Sequence, residues 1–216
     1  VMHTKSIQSP AKKKLKESIP FMNGEYDFST VGSNGEIMYE NREITMVFGL
    51  PAKSKEELQI LYSKVLSWIV DANKSKLIFD DCRDYYYMAE VEAVSSFEEA
   101  MSFGKLTVTL VADPFKTSVD YIGNDIWDTF NFEEDKTQTV EFDVVNIQGA
   151  TIYNAGRILS PTITCSSAMT LMLNNYTYSL SIGDNTFYNL QLDHGSNFVQ
   201  VNGNGHIKFN FRKETL

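Results

Sequence analysis

Residues 77–89 read LIFDDCRDYYYMA: an apolar run, then three aspartates around a cysteine and an arginine, then three tyrosines. Two readings compete for this stretch. In one, Asp80, Asp81 and Asp84 are carboxylates for acid–base or metal chemistry, and the chain is an enzyme. In the other they form a charged turn between two strands, and the chain is a β architecture. A calcium loop spaces its oxygen ligands and uses a glycine for the bend, and this run has neither. Arg83 sits among the acids and neutralises them, and aspartate is an ordinary turn residue. A nucleophilic Cys82 needs a base within reach, yet His3, His194 and His206 are all remote in sequence. The turn is the simpler reading.

Strands follow on both sides of it. SKLIF (Ser75–Phe79) is one. YYYMAEVEAV (Tyr85–Val94) alternates, with Tyr86, Met88, Glu90 and Glu92 on one face and Tyr85, Tyr87, Ala89, Val91 and Ala93 on the other. SSFEEAMSFGK (Ser95–Lys105) reads as a connection. LTVTLVADPF (Leu106–Phe115) is the next strand, stopped at Asp113-Pro114 because proline cannot donate to a ladder. Upstream, REITMVFGL (Arg42–Leu50) places Ile44, Met46 and Phe48 on one face and Thr45 and Val47 on the other.

Between these strands lies the one clear helix, SKEELQILYSKVLSWIVDAN. Ser54 and Glu57 have capping-box spacing, and Glu56 and Glu57 suit the positive end of the helix dipole. Leu58, Leu61, Val65, Trp68 and Ile69 recur at helical spacing and are expected to form one buried face against a sheet.

After about Lys116 charge thins out and Asn, Thr, Ser and Gly take over. TVEFDVVNIQG, SPTITCSS, MTLMLNNYTYSLSIG, TFYNLQL, NFVQVNG and HIKFNFR are short alternating runs separated by turn formers. Such spacing predicts a β-sandwich or barrel, so the chain divides near residue 118. NGNG at Asn202–Gly205 reads as a hairpin signal; no lysine or helix follows it as a phosphate loop requires. His206 falls on the polar face of its strand. His194 with Asp193 makes two metal ligands without a third. Exposed aromatics on such a fold can stack on sugar rings, which makes Trp127, Tyr176 and Tyr178 candidate sugar contacts, with Tyr188 a further aromatic of the same half. Tyr176 and Tyr178 share parity with Leu180 and Ile182, which points them toward the core.

The 216-residue chain is 43% hydrophobic and 22% charged, which fits a globular protein with a real core. Its net charge of −9 argues against a nucleic-acid binder, because phosphate contacts need a basic face. An acidic wall past which DNA slides is compatible with that charge. Cys82 and Cys165 read as two reduced thiols in a protein made in a cytosol. No apolar run approaches the roughly 18 residues of a membrane span, and VMHTKSIQ is not followed by the apolar stretch of a signal peptide. Residues 1–20 hold Lys5, Lys12, Lys13, Lys14 and Lys16 and form the one basic region, either a solvated edge or an arm that docks on an acidic neighbour. PFMNGEYDFSTVGSNGE follows as a long irregular loop, and such loops usually contact something.

Taken in order, IPFMNGEYDF (Ile19–Phe28), NREITMVFGL (Asn41–Leu50), the capped helix Ser54–Val70, KLIFDDCRDYYYMAEV (Lys76–Val91), GKLTVTLVADPFK (Gly104–Lys116) and LDHGSNFVQVNGNGHIKFNFR (Leu192–Arg212) resemble the phage distal tail protein family. In that family a Gly-x-Asn turn precedes the last hairpin, and Gly195 and Asn197 fit it. The resemblance covers nearly the whole chain and is strongest from Ile19 to Lys116. It implies an α+β, mostly β fold. Residues 1–118 are then a ring-forming domain, a split-barrel-like sheet with one helix (about 54–72) and a belt loop around Gly24–Gly35. Residues 119–216 are a galectin-like β-sandwich that projects outward.

The resemblance also implies a structural, non-enzymatic role without a cofactor. A hexameric ring at the tail tip of a phage or prophage virion would join the tail tube protein to the tail hub, leave a central channel and carry receptor-binding proteins. Synthesis would be in the bacterial cytoplasm. Lys12, Lys13, Lys14, Asn23, Gly24, Asp81 and Arg83 are the candidate inter-subunit residues. The alternative function is a carbohydrate-binding module acting through the C-terminal sandwich.

Overall fold

The computed structural model describes residues 2–31, 33, 35–100, 103–123 and 138–216. In chain order the elements are β1 (Met2–Ile7), β2 (Lys16–Glu17), β3 (Tyr26–Asp27), β4 (Arg42–Pro51), α1 (Lys55–Val70), β5 (Ser75–Phe79), β6 (Cys82–Glu99), β7 (Phe103–Ala112) and β8 (Lys116–Ser118). They continue with β9 (Glu141–Asn154), β10 (Thr162–Cys165), β11 (Met169–Leu173), β12 (Tyr176–Leu180), β13 (Gly183–Asn185), β14 (Gly195–Asn210) and β15 (Glu214–Thr215). The architecture is mostly β with one helix among the described residues, as the alternation predicts. Two compact units emerge: residues 1–79 with 87–116 and Leu216, and residues 80–86 with 117–215.

Strand β7 is the spine of the first unit. Leu106, Val108, Leu110 and Ala112 are buried on one face while their neighbours are not, the period-2 pattern of a half-buried strand. Across one edge, β4 pairs antiparallel so that Phe48, Met46 and Ile44 oppose Leu106, Val108 and Leu110. β1 adds to the far side of β4, with Ile7 opposite Ile44. Across the other edge β6 runs from Cys82 to Glu99, through the stretch the sequence suggests is a connection. Register shifts between Val91 and Ala93 and between Val94 and Ser96 explain the difference. Each inserts one extra residue, so Val91, Val94 and Phe97, spaced by three, oppose Leu110, Val108 and Leu106, spaced by two. The insertions break the alternation in sequence while keeping it in space. Bulges also bend a strand and raise its twist, which suits a barrel-like sheet.

Helix α1 starts where the sequence indicates. The Ser54 hydroxyl accepts from the Glu57 N–H (3.2 Å), and the Glu57 carboxylate accepts from the Lys53 N–H (2.8 Å), one residue earlier than a standard capping box. Leu58 is fully buried in the sheet's core, with Leu61, Val65 and Ile69 packed beside it. Trp68 is corrected: it is 76% exposed. It lies at the rim of the apolar stripe, and Tyr62 on the opposite rim packs against the core instead, its ring stacked on Phe97 at 4.1 Å.

The second unit is organised around β14. β9 pairs along one edge of it for 14 residue pairs, from Gly195↔Asn154 to Lys208↔Glu141. The other edge takes β11 in its first half (Leu171↔Val201) and β10 in its second (Cys165↔Ile207). β12 and β13 extend these outward. NGNG therefore lies inside a continuous strand, where a hairpin turn was the expectation. At φ +151 and +145, Gly203 and Gly205 are extended in a region closed to other residues, and a Cβ there would meet Met169 Cγ at 2.8 Å and the Ser166 and Ser167 hydroxyls at 2.6 Å. Glycine serves close approach at this position, where the partner strand changes. The true two-residue hairpin is Asn174-Asn175, with φ +50 and +65, the signature of a type I′ turn.

TFYNLQL also departs from expectation: it forms no strand beyond the single Leu159↔Leu192 bridge, although Leu190 and Leu192 are buried. Asn185 and Asn197 repeat one device. Each is buried, and each side chain closes the turn before it. Asn197 accepts from the Asp193 N–H (2.8 Å) and donates to the Asp193 carbonyl (2.9 Å), as Asn185 does with Ser181 at 2.9 and 2.8 Å. Gly183 and Gly195, at φ +92 and +95, supply the bend. A paired polar group of this kind can sit in a core at little cost.

Candidate assembly surface

Between β1 and β4 the chain leaves the sheet and returns as an arm, residues 8–41. Its two passes are antiparallel. Lys12 bridges Tyr39, the Lys13 N–H donates to the Met38 carbonyl (2.9 Å), and the Glu40 N–H donates to the Ala11 carbonyl (2.8 Å). Farther out the Phe28 N–H donates to the Leu15 carbonyl (2.8 Å), and β2 pairs with β3 (Lys16↔Asp27, Glu17↔Tyr26). The tip turns between them, with Phe21 at φ +69 and Gly24 at φ +86. A second bend at 30–36 is closed by the Ser33 hydroxyl, which donates toward the Thr30 and Glu36 carbonyls. Gly32 and Asn34 lie outside the described residues.

Asp27 ties the passes together. It accepts from the Ser29 N–H (2.9 Å), and the Ser29 hydroxyl accepts from the Leu15 N–H (2.9 Å). Hydrogen bonds from Ser29, then the charges of Lys14 and Lys16, hold the Asp27 carboxyl below its ordinary value. The Tyr26 and Phe28 rings stack at 4.9 Å.

At the root, Arg42 is buried on the core face of β4, in phase with Ile44 and Met46. Its Nε donates to the Pro114 carbonyl (3.0 Å), as does Nη2, and its guanidinium lies 5.1 Å from the Tyr87 ring. Burial lowers its pKa from the ordinary arginine value. An arginine in register with a core strand was the sequence signal for this clamp, and sequence reasoning passed over it. Tyr39 packs edge-on against Phe115 beside it (5.7 Å).

The arm buries almost none of its apolar side chains. Phe21 is fully exposed and Val31 is 73% exposed; Leu15, Ile19, Tyr26 and Met38 also face solvent. The structure gathers Lys12, Lys13, Lys14, Asn23 and Gly24 on this arm, all exposed. The arm is less basic than its first pass suggests, because Lys14 meets Asp27 (3.7 Å) and Lys16 meets Glu25 (3.5 Å) from the return pass. Asp81 and Arg83 belong to the second unit, where Arg83 meets Asp80 (3.2 Å) at an exposed turn. Such a surface pair contributes little to stability.

Of the three aromatic candidates, Tyr178 is buried and its hydroxyl donates to the Asn189 carbonyl (2.9 Å), so it offers no stacking surface. Burial raises its phenol. Tyr176 is 65% exposed, against its parity, because it begins the edge strand β12 directly after the turn; Ile182 is exposed because β12 ends at Leu180. Trp127 lies outside the described residues. No group of three or more metal-ligating side chains occurs among the described residues.

No curated protein sequence matches the chain. Among solved structures it is similar to the SPP1 Dit (gp 19.1) protein, described as a paradigm of the hub adsorption apparatus in phages infecting Gram-positive bacteria; the TM-score is 0.66 at 13% identity, over 100% of this chain and 94% of that one. That likeness concerns the fold. Residues 2–112, which hold β1, the arm, the clamp at Arg42 and the β4–β7 sheet, match the family described as phage tail protein RIFT-related domain, and the chain belongs to that family.

Proposed function

We propose that the chain is a distal tail protein, a structural part of a phage or prophage tail tip. Six copies close into a ring that joins the tail tube protein to the tail hub and leaves a central channel. Residues 1–118 form the ring, and residues 119–216 make a second, galectin-like domain. The role is geometric and not enzymatic. One observation carries this reading: the arm holds a defined backbone while exposing side chains that a monomer would bury. Ordering more than thirty residues costs conformational entropy, and an arm with a bare apolar surface recovers little of it alone. A neighbouring copy supplies the missing contacts. Closed rings form by head-to-tail association, which suits an arm that reaches from one subunit to the next. Family membership and the fold shared with SPP1 Dit support the same reading. Among the described residues the carbohydrate-binding alternative rests on Tyr176 and Tyr188, 65% and 97% exposed, with Tyr178 buried.

Negative-stain microscopy with light scattering tests the proposal. Sixfold rings are expected for the purified chain at high concentration, or in the presence of its tube and hub neighbours. Phe21→Ser with Val31→Ser should abolish them while leaving the circular dichroism unchanged. A wild-type chain that stays monomeric beside both neighbours would overturn the reading.

A further inference from the structure

Strand β9 is 14 residues long, and among the described residues it pairs with β14 alone. Its other edge carries no strand. The phase of that edge is fixed at Tyr153, whose N–H donates to the Gln138 side-chain oxygen (2.7 Å) and whose carbonyl accepts from the Gln138 amide (2.6 Å). The register with β14 is unbroken, so by alternation Val145, Ile147, Gly149 and Thr151 also turn their backbone groups outward. Among the described residues one bond reaches these groups, from Gln148 Nε2 to the Gly149 carbonyl (3.3 Å). Natural edges are blunted by lysine, proline or a bulge. Residues 144–154 contain no charge and no proline, and residues 145–149 are exposed on both faces of the strand. The charges stop at Asp143, held by His206 (3.0 Å), and Glu141, held by Lys208 (2.7 Å). The open stretch therefore lies between an ion-paired end and the end closed by Gln138.

A row of outward backbone donors and acceptors is satisfied in full by another extended backbone. This stretch is complementary to itself. In an antiparallel pairing about a two-fold axis at Gln148, Val145 lies opposite Thr151 and Ile147 opposite Gly149, which uses every open residue. Asp143 then faces Tyr153, so no like charges meet. Gly149 leaves a gap in the side-chain row, and a Cβ there would meet the Phe198 ring at 3.0 Å. Ile147 and Phe198 are 59% and 63% exposed. The Ile147 side chain of one copy enters the Gly149 gap of the other, beside Phe198, and the axis repeats the contact. Gln148 meets its own copy, and a primary amide both donates and accepts.

We propose that two copies of the chain pair antiparallel through the free edge of β9, about a two-fold axis at Gln148, so that the two β9–β14 ladders run on as one sheet. Such a contact is isologous, whereas neighbours in a sixfold ring meet head to tail. It joins chains of different rings or of none, and it does not rest on the ring reading.

Cross-linking reads the register. In a Cys82→Ser background, which removes the exposed native thiol, Gln148→Cys is expected to give a disulfide-linked dimer on mild oxidation. Non-hydrogen-bonded partners in an antiparallel pair bring their Cα atoms to about 4.5 Å, within disulfide reach. Val145→Cys and Thr151→Cys should each stay unlinked alone and link when mixed. Ile147→Lys puts a charge on the edge and is felt twice across the axis. It should raise the dimer Kd by about tenfold or more in sedimentation velocity. Phe21→Ser and Val31→Ser are present in every sample, so rings built through the arm do not enter the pattern.

A Gln148→Cys chain that stays unlinked at high concentration overturns the proposal. So does Val145→Cys linking to itself as readily as to Thr151→Cys, or an Ile147→Lys chain that dimerises as before. Slow hydrogen exchange of the Ile147, Gly149 and Thr151 amides in a dilute, monomeric sample would mean that the chain covers its own edge, and would also overturn it. None of these outcomes touches the ring reading, which microscopy of the wild-type chain decides.

Discussion

Strand β7 and the arm draw on similar residues and expose them differently. In β7, Leu106, Val108, Leu110 and Ala112 each touch the opposing strand or the helix, and none is open to water. In the arm, Leu15, Ile19, Phe21 and Val31 sit on an equally defined backbone with no such cover. The first pattern stabilises the unit that carries it. Under the ring proposal the second is held for a surface on another molecule. Exposed single apolar residues are common on any protein; a long paired segment with this many of them is not, and contiguous bare apolar area marks interaction sites.

The largest expected effect separates these two uses directly. Leu106→Ala removes a fully buried side chain from the centre of the sheet, and such truncations cost about 2–5 kcal/mol. Phe21→Ser should stay within about 0.5 kcal/mol of wild type, as surface changes do. Urea unfolding of the dilute chain, followed by circular dichroism, measures both. Equal losses for the two variants would mean that the arm packs on its own subunit, and the contrast would collapse.

A smaller effect sharpens the contrast at its boundary. Helix α1 has a buried face and the bare ridge of Ile60 and Trp68, so its contribution to monomer stability depends on its start as well as its packing. The Ser54 hydroxyl satisfies one of the free N–H groups of the first turn. Ser54→Ala is expected to cost about 1 kcal/mol in the same unfolding experiment. Trp68→Ser on the bare ridge should cost far less. A Trp68 loss exceeding that of Ser54 would place the indole in the monomer's own core.

How much of this was legible in the sequence follows from which rule each segment obeys. β7 shows its buried face because nothing interrupts its period. The Ser54 cap and the stop at Asp113-Pro114 are local chemistry, readable without partners. β6 was cut short because two bulges reset the phase, and a bulge is fixed by its partner strand rather than by its own residues. NGNG misled for the same kind of reason. Two glycines that permit close approach of Met169 and Ser166 look identical in sequence to two that make a turn. Trp68 has helical spacing suited to burial, yet spacing alone does not say which rim of the stripe the sheet covers. Lys12–Lys14 was visible as basic, but the acids that neutralise its outer end come from the return pass, a pairing that no local rule supplies.

The smallest effect concerns what keeps the arm's backbone defined in the absence of a core. Asp27 is held below its ordinary value of 3.8 chiefly by hydrogen bonds from Ser29, and Ser29 in turn receives the Leu15 N–H of the opposite pass. A carboxyl with a depressed folded pKa contributes its stabilisation above the ordinary value and loses it as pH falls through the depressed one. The Leu15 and Ser29 amide resonances should therefore hold their positions down to about pH 4 and move only below 3.8, while β7 amides stay fixed until the chain unfolds. Other carboxylates protonate in the same range, so Asp27→Asn is the reference: it removes this titration and should flatten the two amide curves without disturbing β7. Because the nearest ammonium, on Lys14, is 3.7 Å away and exposed, salt should change the curves little. If the amides titrate near the ordinary value, or if salt abolishes the shift, charge and not hydrogen bonding holds the two passes together. The neutralised lysines would then be the arm's chief internal support.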